Sequence, residues 1–122
     1  MSVLKRLAEP YCPYSNYPVR VTVETISGNW YDGVNIENVN FSLTIHGEQA
    51  AIIAAYLGEN PEDRKFIKSV IIDTRDGGMP CGGCRQFIAE FATDDCVVAC
   101  NGDVHKFWDL LPHPFTPASL GL

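Results

Sequence analysis

Two short clusters, His46-Gly47-Glu48 and Pro80-Cys81-Gly82-Gly83-Cys84, constrain this chain more than any other feature. They supply one imidazole, two thiols and one carboxylate, and each stands at the head of a segment with helical patterning. Zinc prefers nitrogen and sulfur donors in a tetrahedron; a structural site fills all four positions with protein, while a catalytic site leaves one for water. His46, Cys81 and Cys84 make three. The i, i+3 spacing puts both thiols on one helix face. Where a cluster opens a helix, the free N–H groups and the helix dipole favour thiolate. A fold that serves both clusters must therefore bring two helix N-termini to one point. A water in the fourth position would be acidified by the metal. Glu48, two residues from His46, is close enough to carry that water's proton without occupying the metal.

Other readings compete with this one. Two core cysteines and an unrelated histidine would explain the same residues, since free Cys is often simply buried. A redox Cys-x-x-Cys belongs in a thioredoxin-like βαβ context, without a partnered His-x-Glu. A closed structural zinc site is the stronger rival. It would need a fourth protein ligand, for which Cys12, Cys96, Cys100 and His105 are available. Glu48 alone would read as a first-turn acid favoured by the dipole.

The rest of the chain supplies the frame. Residues 2–9 pattern as a short helix ended by Pro10. Residues 10–18 hold three prolines and three tyrosines and read as an aromatic loop. Val19 to Ile26 alternates as a strand, Ser27-Gly28-Asn29 turns, and Trp30 to Ile36 returns as its hairpin partner. From His46 to Leu57 the pattern is apolar nearly all round, a buried helix that Gly58 is expected to stop. Asn60-Pro61-Glu62-Asp63 reads as the start of a further helix. Lys68 to Thr74 is a buried strand, Cys84 to Phe91 a helix, and Cys96 to Cys100 a strand. Asn101-Gly102 is a hairpin turn returning along Val104 to Trp108. Residues 112–122 form a proline-rich tail. Strands interleaved with helices imply an α/β protein: a three-layer α/β/α sandwich over a mixed five-stranded sheet, as one domain spanning 1–122.

At 46% apolar, 122 residues can bury a core. A formal charge of −6 argues against DNA or RNA as the main partner, because polyanion binding needs a basic face. No apolar run is long enough to span a membrane, and the N-terminus lacks signal-peptide character, so a cytoplasmic protein acting on a small molecule is expected. Five cysteines, an odd count, fit metal or free thiols better than a disulfide framework.

From about Tyr11 to Leu120 the sequence resembles the cytidine deaminase family. The resemblance rests on Tyr-Cys-Pro-Tyr-Ser-Asn-Tyr-Pro-Val (11–19), Gly-Val-Asn-Ile-Glu-Asn (33–38), His-Gly-Glu-Gln-Ala-Ala-Ile (46–52), Pro-Cys-Gly-Gly-Cys-Arg-Gln-Phe (80–87) and the Leu-Leu-Pro segment that begins at Leu110. It implies zinc on His46, Cys81 and Cys84, with Glu48 as catalytic proton shuttle. It implies substrate contacts from Asn35 and Glu37 to the sugar hydroxyls, from Tyr17 to the pyrimidine, and from Gly47. Phe115 matches an aromatic that a neighbouring subunit contributes, in what is usually a homotetramer; a homodimer is the alternative. The activity implied is hydrolytic deamination of cytidine and deoxycytidine. Deamination of a modified cytosine nucleoside or a cytosine-containing antibiotic uses the same motifs, and a non-catalytic zinc module is the remaining alternative. Four features depart from the usual pattern. Single-domain members more often carry Cys-Ala-Glu in place of His46-Gly47-Glu48, and then Arg in place of Gln49. One imidazole and two thiolates leave zinc neutral, so an amide at 49 suffices where three thiolates would call for a cation. Arg20 replaces a usual glycine at a position that bears on a subunit interface, and the chain is slightly short.

Overall fold

In the computed structural model, which describes residues 8–122, strand β1 (Val19–Thr25) defines the two faces of the sheet. Val21, Val23 and Thr25 are buried on one face, while Arg20, Thr22 and Glu24 alternate onto the other. β1 pairs antiparallel with β2 (Trp30–Val34) on one side and with β3 (Ile67–Thr74) on the other. β3 pairs parallel with β4 (Ala92–Cys100), and β5 (Asp103–Lys106) closes the edge antiparallel to β4. The strand order β2-β1-β3-β4-β5 is the mixed five-stranded sheet expected of the α/β class.

Helix α1 (Gly47–Glu59) lies across β1 and β2, with α2 (Gly82–Phe91) beside it. α2 is the crossover that a parallel β3–β4 pair requires. Val21, Val23, Val70, Ile72 and Val98 from the sheet pack against Ala51, Ile52, Ala55 and Ile88 from the helices. Gly33 sets how closely α1 approaches. A Cβ there would lie 2.2 Å from Ala51 N and 2.7 Å from Gly47 O, both backbone atoms. At Gly47 a Cβ would meet Val21 Cγ2 at 2.9 Å, so the first turn of α1 also rests directly on β1.

The structure revises several sequence boundaries. α1 runs through Gly58 to Glu59 and ends at Asn60, which takes the left-handed conformation (φ 45°) and donates to Tyr56 O. Gly58 serves clearance instead: a Cβ would lie 2.5 Å from the Tyr31 ring. Tyr31 leans across it to donate its hydroxyl to Glu59 Oε2 at 2.7 Å. Thr25, Ser27 and Asn29 of the hairpin donate to the same carboxylate. Asn60-Pro61 therefore closes one helix and opens none. The same dipeptide serves as N-cap plus first residue or as left-handed cap plus stop. β4 begins at Ala92, directly after α2, but regular pairing with β3 resumes only at Val97 beyond a bulge, near where sequence patterning placed it. β5 ends at Lys106, because Phe107 turns into the core as the first residue of a short helix α3 (Phe107–Leu110). The hairpin turn at Asn101-Gly102 forms as expected, with both residues at positive φ.

Of the helix expected over 2–9, only Ala8 and Glu9 are described; the rest lies outside the described residues. Arg20 holds this end, donating to Ala8 O (2.7 Å) and Glu9 Oε2 (3.0 Å). Among the described residues no helix is long and apolar enough to cross a membrane.

Candidate active site

Both sequence clusters arrive at helix N-termini. A short two-bond bridge between Ile36 and Ile45 delivers the chain to His46, the N-cap of α1. Gln49 Oε1 accepts from His46 N at 3.0 Å, the reciprocal half of a capping box. This gives Gln49 a second role that arginine, lacking an acceptor, cannot fill. Cys81 is the N-cap of α2, and its sulfur accepts from Cys84 N at 3.4 Å. Arg85 fixes the approach to Cys81 by donating to Pro80 O (2.8 Å) and Leu110 O (3.0 Å).

His46 Nδ1 stands 3.8 Å from Cys81 Sγ, and the donor atoms of His46, Cys81 and Cys84 all lie within 4.8 Å of one another. Tetrahedral zinc with its usual bonds separates its ligands by roughly 3.5 Å, so this donor set fits zinc in both chemistry and spacing. The described residues offer no fourth protein donor to the group. Cys96 and Cys100 are buried in the core, and His105 pairs with Asp103 at 3.1 Å. Burial, followed by the nearby Glu48 carboxylate and Cys81, pushes the Cys84 thiol well above its usual range. A buried thiol so placed becomes thiolate only when a cation binds it. Glu48 itself is 5% exposed and sits beside that thiol on the first turn of α1.

A cavity of about 270 Å³ opens over this cluster. It brings together nearly every residue singled out from the sequence: His46, Glu48, Cys81, Cys84, Asn35, Glu37, Tyr17 and Gly47. Phe115 is the exception. It is 60% exposed and lies outside this cavity in its own chain, held where Gln86 pairs with both its N–H and its C=O. Ser15, Thr44, Thr74 and Met79 also line the cavity and carried no signal in the sequence strong enough to single them out.

Asn35 and Glu37 are builders as well as wall. Asn35 Oδ1 accepts from Val19 N (3.0 Å) while its Nδ2 donates to Tyr17 O (2.8 Å), bracing the chain on both sides of Pro18. Glu37 Oε1 accepts from Tyr14 N (3.0 Å) and Ser15 N (3.1 Å), and Oε2 accepts from the Ser15 hydroxyl. These bonds, the Ser15 hydroxyl foremost, hold the Glu37 carboxyl below the usual carboxylate range. It is therefore an ionised acceptor at the cavity wall at neutral pH.

The model of the cytidine and deoxycytidylate deaminase zinc-binding region matches residues 1–100. The chain belongs to the cytidine deaminase family. Among members of that family, the cytidine deaminase of Halalkalibacterium halodurans is 36% identical over 111 residues, covering 87% of this chain and 83% of the relative. That of Aeromonas hydrophila is 34% identical over 113 residues, which are 90% of this chain but only 36% of the relative. The chain thus spans about a third of the length of the Aeromonas relatives it matches. The crystal structure of cytidine deaminase from Mycobacterium tuberculosis superposes with a TM-score of 0.77 at 28% identity, over 88% of this chain and 85% of that one. The family's mixed sheet with helices is therefore the fold observed here.

Proposed function

We propose that this chain is a zinc-dependent hydrolase that converts cytidine and deoxycytidine to the corresponding uridines with release of ammonia. The observation that carries the reading is the three-donor set of His46, Cys81 and Cys84, lacking a fourth protein donor among the described residues, with Glu48 against it in one cavity. Zinc held there would supply a Lewis acid that brings the pKa of water toward neutrality.

The protein's own part is proton handling and placement. Glu48 takes a proton from the attacking water as the new C–O bond forms at C4, and passes it to the adjacent ring nitrogen. A second transfer through Glu48 protonates the departing amino group as the C4–N bond breaks, leaving the uracil carbonyl. Burial of this carboxylate supports the role, since it limits exchange with bulk water. Tyr17 and Gly47 supply walls for the pyrimidine.

At the sugar end, Glu37 already accepts three hydrogen bonds, and a carboxylate offers roughly four acceptor directions. One remains, enough for a single sugar hydroxyl. Asn35 likewise has one N–H left. Recognition through one hydroxyl accommodates both ribose and deoxyribose. Phe115, exposed and outside its own cavity, is free to complete a neighbour's pocket in a homotetramer.

The test is turnover of cytidine and deoxycytidine by the zinc-loaded protein, followed by loss of the cytosine ultraviolet band. Both should react with comparable kcat/KM. Bound zinc without turnover of either nucleoside would refute the reading.

A further inference from the structure

Tyr17 is immobilised to a degree that a simple wall does not need. Its hydroxyl donates to Asp76 Oδ1 at 2.5 Å. The Arg75 guanidinium sits 4.8 Å from its ring centroid, within cation–π range, and Arg75 Nη1 also donates to Asn16 O at 3.0 Å. Asp76 Oδ1 accepts a second bond from Gly78 N at 3.0 Å, so one oxygen holds both the tyrosine and its own loop. The close approach depends on glycine: a Cβ on Gly78 would lie 2.4 Å from the Tyr17 hydroxyl oxygen.

These contacts join two segments that lie 59 positions apart in the sequence, measured from Tyr17 to Asp76. One is the aromatic loop braced by Asn35 and Glu37; the other runs from Arg75 through Met79 to Pro80 and Cys81. Tyr17, Gly78 and Met79 all line the cavity, whereas Arg75 and Asp76 stand behind them. A single oxygen therefore couples the position of the pyrimidine-side wall to the loop that leads to a metal ligand.

We infer that Asp76, supported by Arg75, is a positioning residue that locks Tyr17 across the cavity mouth and so sets how tightly the substrate is held. The inference rests on the nucleoside deaminase reading of the same cavity. It acts on binding, because neither residue touches the donor set or Glu48.

The experiment is steady-state kinetics on cytidine for the native zinc-loaded chain and for Asp76→Ala, Asp76→Asn, Tyr17→Phe and the Asp76→Ala/Tyr17→Phe double variant. Zinc content and thermal unfolding are measured on each. Asp76→Ala is expected to raise KM about fivefold with little change in kcat, the factor to which the net worth of one ordinary hydrogen bond, about 1 kcal/mol, corresponds. Asp76→Asn should stay near the native KM, because its single carbonyl oxygen can accept both bonds now made to Oδ1. The double variant should be no worse than the poorer single one, since both remove the same bond. An unchanged KM in Asp76→Ala, additive losses in the double variant, or failure of Asp76→Asn to preserve KM would overturn the inference. Absence of turnover in the native zinc-loaded chain would instead refute the underlying activity.

Discussion

Replacing Gly33 by alanine sets two effects of opposite sign against each other. Gly33 has ordinary strand geometry, so alanine should stabilise through the unfolded chain by about 0.4–1 kcal/mol. The new methyl, however, would lie 2.2 Å from Ala51 N, 2.7 Å from Gly47 O and 2.8 Å from Ala50 C. Ordinary contact begins near 3.4 Å, so the first turn of α1 must lift by about 1 Å. Overpacking of that kind costs roughly 1–3 kcal/mol, so the clash should outweigh the entropic gain. The turn that moves carries Glu48 and follows His46, and a misplacement of about 1 Å at a reacting centre can cost on the order of 10²-fold in rate. Gly33→Ala should therefore melt several degrees lower, bind zinc more weakly, and lose turnover out of proportion to its stability. The assay is thermal unfolding, zinc content after gel filtration, and kcat/KM on cytidine. Ala50→Gly or Ala51→Gly in the same chain should not rescue it, because the obstructing atoms are backbone. Native turnover together with an unchanged or raised melting temperature would refute this account of how α1 is seated.

Glu48→Ala should fold and hold zinc yet lose turnover by about 10²–10⁴-fold, since it removes the proton carrier and none of the metal donors; retained turnover would sink the assigned role. Zinc uptake should release protons, including the one on the elevated Cys84 thiol, and a weakly buffered titration with an indicator dye reads this directly. Uptake without proton release would mean that Cys84 is not a ligand. The bonds to Glu59, led by the Ser27 hydroxyl, hold its carboxyl down to about 2. A depressed carboxylate contributes stability fully present above its unfolded pKa near 4.5 and lost as pH falls toward 2. Glu59→Gln should therefore narrow its stability gap to the native chain across that acid range, with metal loss cancelling in the comparison; a gap independent of pH would refute it.

The His46, Cys81 and Cys84 group was legible because its chemistry is carried by residue type and short spacing. His-x-Glu and Cys-x-x-Cys retain their meaning wherever the helices lie, and both arrive at helix N-termini as expected. Strand alternation at Val19–Thr25 and the Asn101-Gly102 turn were legible for similarly local reasons. Less legible were positions whose role depends on a residue far away in sequence. Gly58 resembles a helix terminator until Tyr31 is seen crossing it. Asn60-Pro61 is ambiguous between a cap at either end of a helix. Asp76 and Ser15 are ordinary loop residues in sequence, and only the fold brings them to Tyr17 and Glu37. Asn35 and Glu37 were singled out for substrate, and the bonds they make also build the loop that walls the cavity.

The crossing of Tyr31 over α1 also bears on how relatives of this chain can diverge. Glycine at 58, tyrosine at 31 and an acid at 59 form one interlocked unit, because the aromatic reaches the carboxylate only over a bare stretch of helix. A relative that gains a side chain at position 58 must shrink or redirect residue 31. It then loses one of the donors that make a charge at 59 worth keeping. The three positions should consequently change together across homologues, giving a pattern of covariation that links the far end of α1 to the hairpin and is independent of the residues around the cavity.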